Sequence, residues 1–220
     1  MTAIRNHSLL ANLRKPFLRT QGGSGSSGST YTLAVAQPLY GSLCLIAVGG
    51  AQGRAVISVT GSGGSASTGW QNLNQGNQLM THVWKIADGT EVGPFVVTMI
   101  GAQTGVCIWH EFVGIQGTNA FAMWPEETIA GYVGTSGTSL TFNHNFSSLI
   151  FTAISTNGSD GAWTIVNNGF GNLLNSNYVR TAYKYAIGKG SGTVTWSGSA
   201  VSRTGNVLTL VFKWLHKTSY

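Results

Sequence analysis

Ser42–Val48 reads SLCLIAV, and further along Ser148–Ile154 reads SLIFTAI. Each is a mainly apolar run of strand length, continuous over LCLIAV in the first, a pattern suited to the centre of a β-sandwich. The segments after the two runs repeat too. Behind the first come a Gly/Ser loop, GWQNL, THVWKIADGT, FVVTMI and VCIWHEFVGI. Behind the second come a loop, GAWTIV, RTAYKYAIGKG, TVTWSG and VLTLVFKWL. The alignment sets Ser42-Leu43 beside Ser148-Leu149, Trp70 beside Trp163, and Trp84-Lys85 with Ala87 beside Tyr183-Lys184 with Ala186. Two copies are too few for a solenoid. Alternating stretches such as HVWKI fit strands with one wet face. The expected fold is therefore all-β: a jelly-roll-like β-sandwich with internal duplication, its body at 31–220 and its halves at about 31–115 and 138–216. A half of under ninety residues has a marginal core, which favours one body over two small sandwiches joined through residues 116–137.

The body is preceded by an extended N-terminal arm. Residues 1–20 combine Arg5, Arg14, Lys15 and Arg19 with Ile4, Leu9, Leu10, Leu13, Phe17 and Leu18, and contain no acid. Ser8 is placed to cap a short helix over LLANLRK that Pro16 would end. Residues 21–30, QGGSGSSGST, read as a flexible linker. So many apolar side chains are poorly suited to a free tail, so the arm is expected to dock on a neighbouring subunit. Leu9, Leu10, Leu13, Arg14, Lys15, Phe17 and Arg19 would be its contact residues.

Composition narrows the function classes. Charged residues make up 8% of the chain, against about 25% in an ordinary domain. There are 31 glycines, yet apolar residues reach 42%, which excludes a disordered chain. The net charge is +6, but four of the twelve basic residues lie in the acid-free arm. The body is thus close to neutral, with no basic stripe, which argues against nucleic acid as a partner. Cys44 and Cys107 sit inside apolar runs and are expected to be free and buried. The N-terminus lacks the apolar stretch of a signal peptide, and no run reaches membrane-span length. Synthesis in a cytoplasm without export by the general secretory route, and no membrane partner, are the expectation.

Catalytic groups are sparse. His110 and Glu111 are adjacent, so on a strand they point to opposite faces. Glu126 and Glu127 follow Pro125 in the connector, where a solvated turn is the plain reading. His82, His144 and His216 show no metal-ligand spacing, and no nucleophile elbow or phosphate loop is present. No enzyme activity, metal or cofactor is expected. Of the seven tryptophans, Trp109 and Trp124 are the candidates for exposed contact aromatics, and the others read as packing residues.

The ordered string SLCLIAV…GW…HVWKIADGTE…VVTMIG…EFVG resembles a repeat of tailed-bacteriophage structural proteins. There an opening apolar strand precedes a Gly/Trp strand, a strand carrying a Lys-x-Ala-x-Gly-Thr-Glu motif, and a closing Glu-x-x-Gly strand. Trp84–Glu91 and Glu111–Gly114 carry the match. The second half keeps Tyr183–Ala186 but lacks the acid and the closing Glu-x-x-Gly. The resemblance implies a virion β-sandwich of the capsid-decoration, neck, tail or fibre kind, made in the host cytoplasm and located in the particle. Its partners would be other virion proteins (capsid, neck or tail subunits) and further copies of itself, for example as a trimer. The competing expectation is a carbohydrate-binding adhesin or receptor-binding module, with Trp109 or Trp124 stacking on a host-surface glycan. A polysaccharide depolymerase using the acids ranks third.

Overall fold

The computed structural model of the chain describes residues 16–51, 55–62, 69–74, 80–115, 127–133, 137–156, 163–166, 169–175, 178–198 and 205–213. Among them every regular element is a strand. The first half consists of β1 (Phe17–Leu33), β2 (Leu43–Gly50), β3 (Val56–Thr60), β4 (Gln71–Asn74), β5 (Met80–Ile86) and β6 (Phe95–Val113). The second consists of β7 (Glu127–Val133), β8 (Gly137–His144), β9 (Ser148–Thr156), β10 (Thr164–Ile165), β11 (Gly171–Asn175), β12 (Val179–Ala186), β13 (Gly190–Ser197) and β14 (Gly205–Lys213).

The duplication is visible in the strand order. The first half pairs as β1-β6-β2-β5-β4 and the second as β7-β14-β9-β12-β11, all antiparallel. Register agrees as well. Leu43 faces Ile86 and Phe112, and Leu149 faces Tyr185 and Phe212. Lys85 lies opposite Cys44 as Lys184 lies opposite Ile150, so the Lys85/Lys184 match read from the sequence is structural. The halves differ in how the chain turns the corner between layers. In the first, β1 and β6 run through it unbroken. Between the pairs Gly28↔Gln103 and Thr30↔Thr98, β1 advances two residues and β6 five. Beyond the corner, β3 joins the N-terminal stretch of β6. In the second half the same path is cut into separate strands, and the small layer is β10-β13-β8.

Each half closes its own small core, and the two pack back to back. β2 is buried along its whole length. Its alternate residues Cys44, Ile46 and Val48 enter the first half's core with Val83, Phe95 and Trp109. Leu43, Leu45 and Ala47 point the other way and meet Leu149, Phe151, Leu210 and Phe212 of the second half. β9 does the same in mirror fashion, with Ile150 and Ile154 packed against Phe142, Trp163 and Trp196. The apolar runs are thus explained by central strands wet on neither face. Aromatic edges fill the seam, with Trp84–Phe212 centroids at 6.1 Å and Phe112–Tyr183 at 5.2 Å. At Gly49 a Cβ would collide with Ser155 and Val179 of the second half, so only glycine lets the sheets approach this closely.

Three boundaries differ from the sequence reading. Residues 21–30 are not a linker. They form the middle of β1, paired to β6 from Gln21↔His110 to Gly28↔Gln103 and again at Thr30↔Thr98. Gly and Ser have poor strand propensity, so the order of this segment comes from a partner distant in sequence. The first half therefore begins at Phe17, and Phe17 and Arg19 belong to the sheet. Leu9, Leu10, Leu13, Arg14 and Lys15 lie outside the described residues. The second half begins at β7, inside the expected connector, because the small residues of TIAGYV hide a strand that pairs with β14. Finally, Trp163 precedes β10 on the small layer whereas Trp70 precedes β4 on the large one. Register makes Phe170, before Gly171↔Tyr183, the counterpart of Trp70, before Gln71↔Trp84.

Candidate functional surface

The polar groups that could do chemistry are mostly spent on the fold. Glu111 is fully buried on β6, where it takes a hydrogen bond from Arg19 Nη1 at 2.6 Å and from Thr20 Oγ1 at 3.0 Å. It also accepts from Leu39 N at 2.8 Å and Ser42 Oγ at 3.0 Å. One carboxylate so ties β1, the 34–42 loop and β6 together, and both oxygens are occupied. Its neighbour His110 faces the opposite way, into the seam, as the pleat requires.

The KIADGTE motif is a second internal knot. Lys85 Nζ lies 2.6 Å from Glu91 and 3.0 Å from Asp88, with Lys85 and Glu91 buried. Glu91 accepts from the backbone N–H groups of Asp88 and Gly89, which explains an acid six residues after the lysine. Burial alone would depress the Lys85 ammonium, but the two carboxylates outweigh it and hold its pKa above the ordinary range. Burial works against the Asp88 carboxylate, yet hydrogen bonds from Thr90 and the Lys85 charge bring it down to about 2.

The two histidines of the seam are different. His82 and His110 sit on neighbouring positions of the seam, with Phe151 5.5 Å and 5.0 Å away. His110 Nε2 meets Thr181 Oγ1 at 3.1 Å, while His110 Nδ1 and both nitrogens of His82 have no hydrogen-bond partner among the described residues. Desolvation pushes both down to about 3, so both imidazoles are neutral at pH 7. Cys44 and Cys107 are free and buried, and burial raises both thiols far above the usual range. Among the described residues no three His, Cys, Asp or Glu side chains converge as metal ligands.

Trp109 is not an exposed contact aromatic. It is completely buried, stacked on Phe95 at 5.1 Å and 10°, and its indole N–H reaches Thr20 Oγ1 at 3.3 Å. The strand VCIWHEFV is covered on both faces, so its alternation carries no sign of which face is wet. Trp124 and Glu126 lie outside the described residues. Glu127 opens β7 opposite Val211 instead of sitting in a turn.

The chain does present a set of loop tips at one end. Gly49, late in β2, abuts Ser155, late in β9, so the two strands run the same way and their starts share an end. At that end Leu39 and Tyr40 precede β2, Phe146 precedes β9, and Ile187 follows β12; Tyr40 is 61% exposed and Ile187 73%. Phe17, also exposed, opens β1 there, opposite Val113. These tips are fastened from below in equivalent ways. Gly41 N donates to Ala87 O, and Ser42 Oγ to Leu39 O. In the second half Gly188 N donates to Ser147 Oγ, and His144 Nδ1 lies 2.7 Å from Gly188 O. Lys213 Nζ sits 3.7 Å above the Phe146 ring. The tips thus combine exposed apolar side chains with hydrogen bonds that tie their backbone to the neighbouring loop. Sequence reasoning passed over Tyr40 and Phe146; the signal was an aromatic inside a polar turn, in QPLYGS and NHNFSS. No protein-family model, curated protein or solved structure matches the chain.

Proposed function

We propose that this protein is a non-enzymatic structural component of a phage virion, a decoration, neck, tail or fibre protein that attaches by one end. The observation that carries the reading is the end surface of Leu39, Tyr40, Phe146 and Ile187, held on fastened loops. β1 begins at the same end, so residues 1–15, with Leu9, Leu10, Leu13, Arg14 and Lys15, join the body beside it. Arm and end surface together would form one attachment face toward capsid, neck or tail subunits. Large apolar side chains left in water at one end are what such a face requires. The Trp84–Glu91 and Glu111–Gly114 motifs, whose acids serve the fold, fit the resemblance to phage repeats. The test is incorporation: particles produced with the Leu39→Asp/Ile187→Asp variant, or with residues 1–15 deleted, should lack the protein while the purified variants keep the wild-type melting temperature. Wild-type occupancy for both variants refutes the attachment face.

A host-glycan adhesin is the second reading, favoured by one observation, the exposed ring of Tyr40 beside the side-chain-free Gly89. Sugars stack on such rings, and Tyr40→Ala would then abolish cell binding without changing occupancy in the particle.

A further inference from the structure

β1 is the edge strand of the larger first-half sheet, and among the described residues its one strand partner is β6. Between its two irregularities, at Leu18/Thr20 and Gly28/Thr30, the nine residues Thr20–Gly28 keep unbroken register with Glu111–Gln103. Among the described residues, an edge about 30 Å long at 3.4 Å per residue is thus open along its outer side. Natural sheets guard such edges with charge, proline, bulges or short length. This stretch, TQGGSGSSG, has no charge and no proline, and seven of its nine residues are Gly or Ser.

Three of these glycines have no steric explanation among the described residues. A Cβ on Gly22, Gly23 or Gly25 would find its nearest neighbour at 3.5, 3.4 and 3.5 Å, ordinary contact distances, and none of the three has the positive φ that demands glycine. At Gly50, Gly61 and Gly105, by contrast, a Cβ would strike backbone. Glycine weakens a strand, and where the chain itself does not need it the usual reason is the close approach of another backbone.

We propose that this edge is where a second copy of the chain adds its own β1, antiparallel, about a two-fold axis through Ser24. A row of open N–H and C=O groups selects a strand as its occupant. The stretch between the irregularities selects a second copy, because it matches itself. Centred on Ser24, Gly23 falls opposite Gly25 of the other copy and Thr20 opposite its Gly28, small residue against small or polar residue throughout. No charge is present to pick out a different partner, and one patch meeting itself is the two-fold solution. The two first-half sheets become one continuous sheet. This pairing is independent of any role in a particle.

The test uses the full-length chain and sedimentation velocity. Wild type should be dimeric. Gly23→Lys/Gly25→Lys sets lysines opposite lysines across the seam, and it should weaken association at least about tenfold with an unchanged melting temperature. Gly23→Glu/Gly25→Glu should do the same. An equimolar mixture of the two variants should dimerise again, since each lysine then faces a glutamate. Three results would each overturn the proposal: a monomeric wild type, a double variant that associates as wild type does, or a mixture of two monomeric variants that stays monomeric.

Discussion

His110 Nε2 and Thr181 Oγ1, 3.1 Å apart, join the two halves of the molecule across the seam. The bond holds one imidazole of a pair that cannot be charged where it stands. The acids of the first half's described residues lie elsewhere: Glu111 on the opposite face of β6, Asp88 and Glu91 in the knot after β5.

Stability should therefore fall in acid in a particular window. His82 and His110 have folded pKa values of about 3 against 6.5 when free, so below pH 6.5 the unfolded chain binds protons that the folded one refuses. Their contribution is complete above pH 6.5 and is lost as pH drops toward 3, at about 1.4 kcal/mol per pH unit for each histidine. Asp88 adds to the loss only below its free value of 3.8, down to about 2. Urea denaturation at pH 7.5, 5.5 and 4.5 should show the decline. In His82→Gln/His110→Gln the slope between pH 6.5 and 4.5 should nearly vanish. An unaltered slope in that variant would show that other groups carry it.

Glu111→Gln should cost about 1–3 kcal/mol, the usual effect of leaving buried donors without an acceptor. The amide keeps one acceptor oxygen, so its NH2 would confront either Arg19 and Thr20 or Leu39 N and Ser42, which already donate. Arg19→Ala should cost less, because three donors still serve the carboxylate. Guanidinium denaturation that ranks the two variants the other way would contradict this account of Glu111 as the knot of β1, the 34–42 loop and β6.

Truncating Trp109 to Ala should cost about 3–5 kcal/mol, whereas Tyr40→Ala should stay within about 0.5 kcal/mol of wild type. The first opens a cavity beneath Phe95, Trp70 and Thr20. The second shortens a side chain that is 61% exposed. Thermal melts of the two variants settle the assignment of core and surface.

The same pair of residues shows where the sequence was legible. SLCLIAV, SLIFTAI and the Lys85/Lys184 match could be read directly, because double-sided burial and repeated register leave marks in a linear pattern. Trp109 could not be placed, because a strand covered on both faces looks the same whichever side its tryptophan takes. β1 was hidden for another reason. Its order resides in β6, some eighty residues away in the chain, and Gly-Ser composition gives no local sign of that partnership. Trp70 and Trp163 misled through likeness of setting, each following a Gly/Ala, when the register of their strands assigns them to different layers. The loop tips carry their aromatics in polar turns, where no strand periodicity marks them.

Gly49 offers the sharpest probe of whether the halves form one body. A methyl group there would overlap the side chains of Ser155 and Val179, so these three positions mark a close approach of the two large sheets. Gly49 itself has no positive φ, so a residue with a Cβ is barred by the neighbouring half alone. Gly49→Ala should then destabilise the protein by about 1–3 kcal/mol, the range for overpacking a well-filled core. Ser155→Gly with Val179→Ala removes the obstructing atoms and by itself loses packing. Combined with Gly49→Ala, however, it should cost less than the sum of the separate losses, with a coupling of about 0.5–3 kcal/mol. Halves that met only loosely would slide apart to admit the methyl, and the changes would then simply add. Additivity within about 0.5 kcal/mol in the full double-mutant cycle would break the argument that Gly49 is glycine for the sake of the seam.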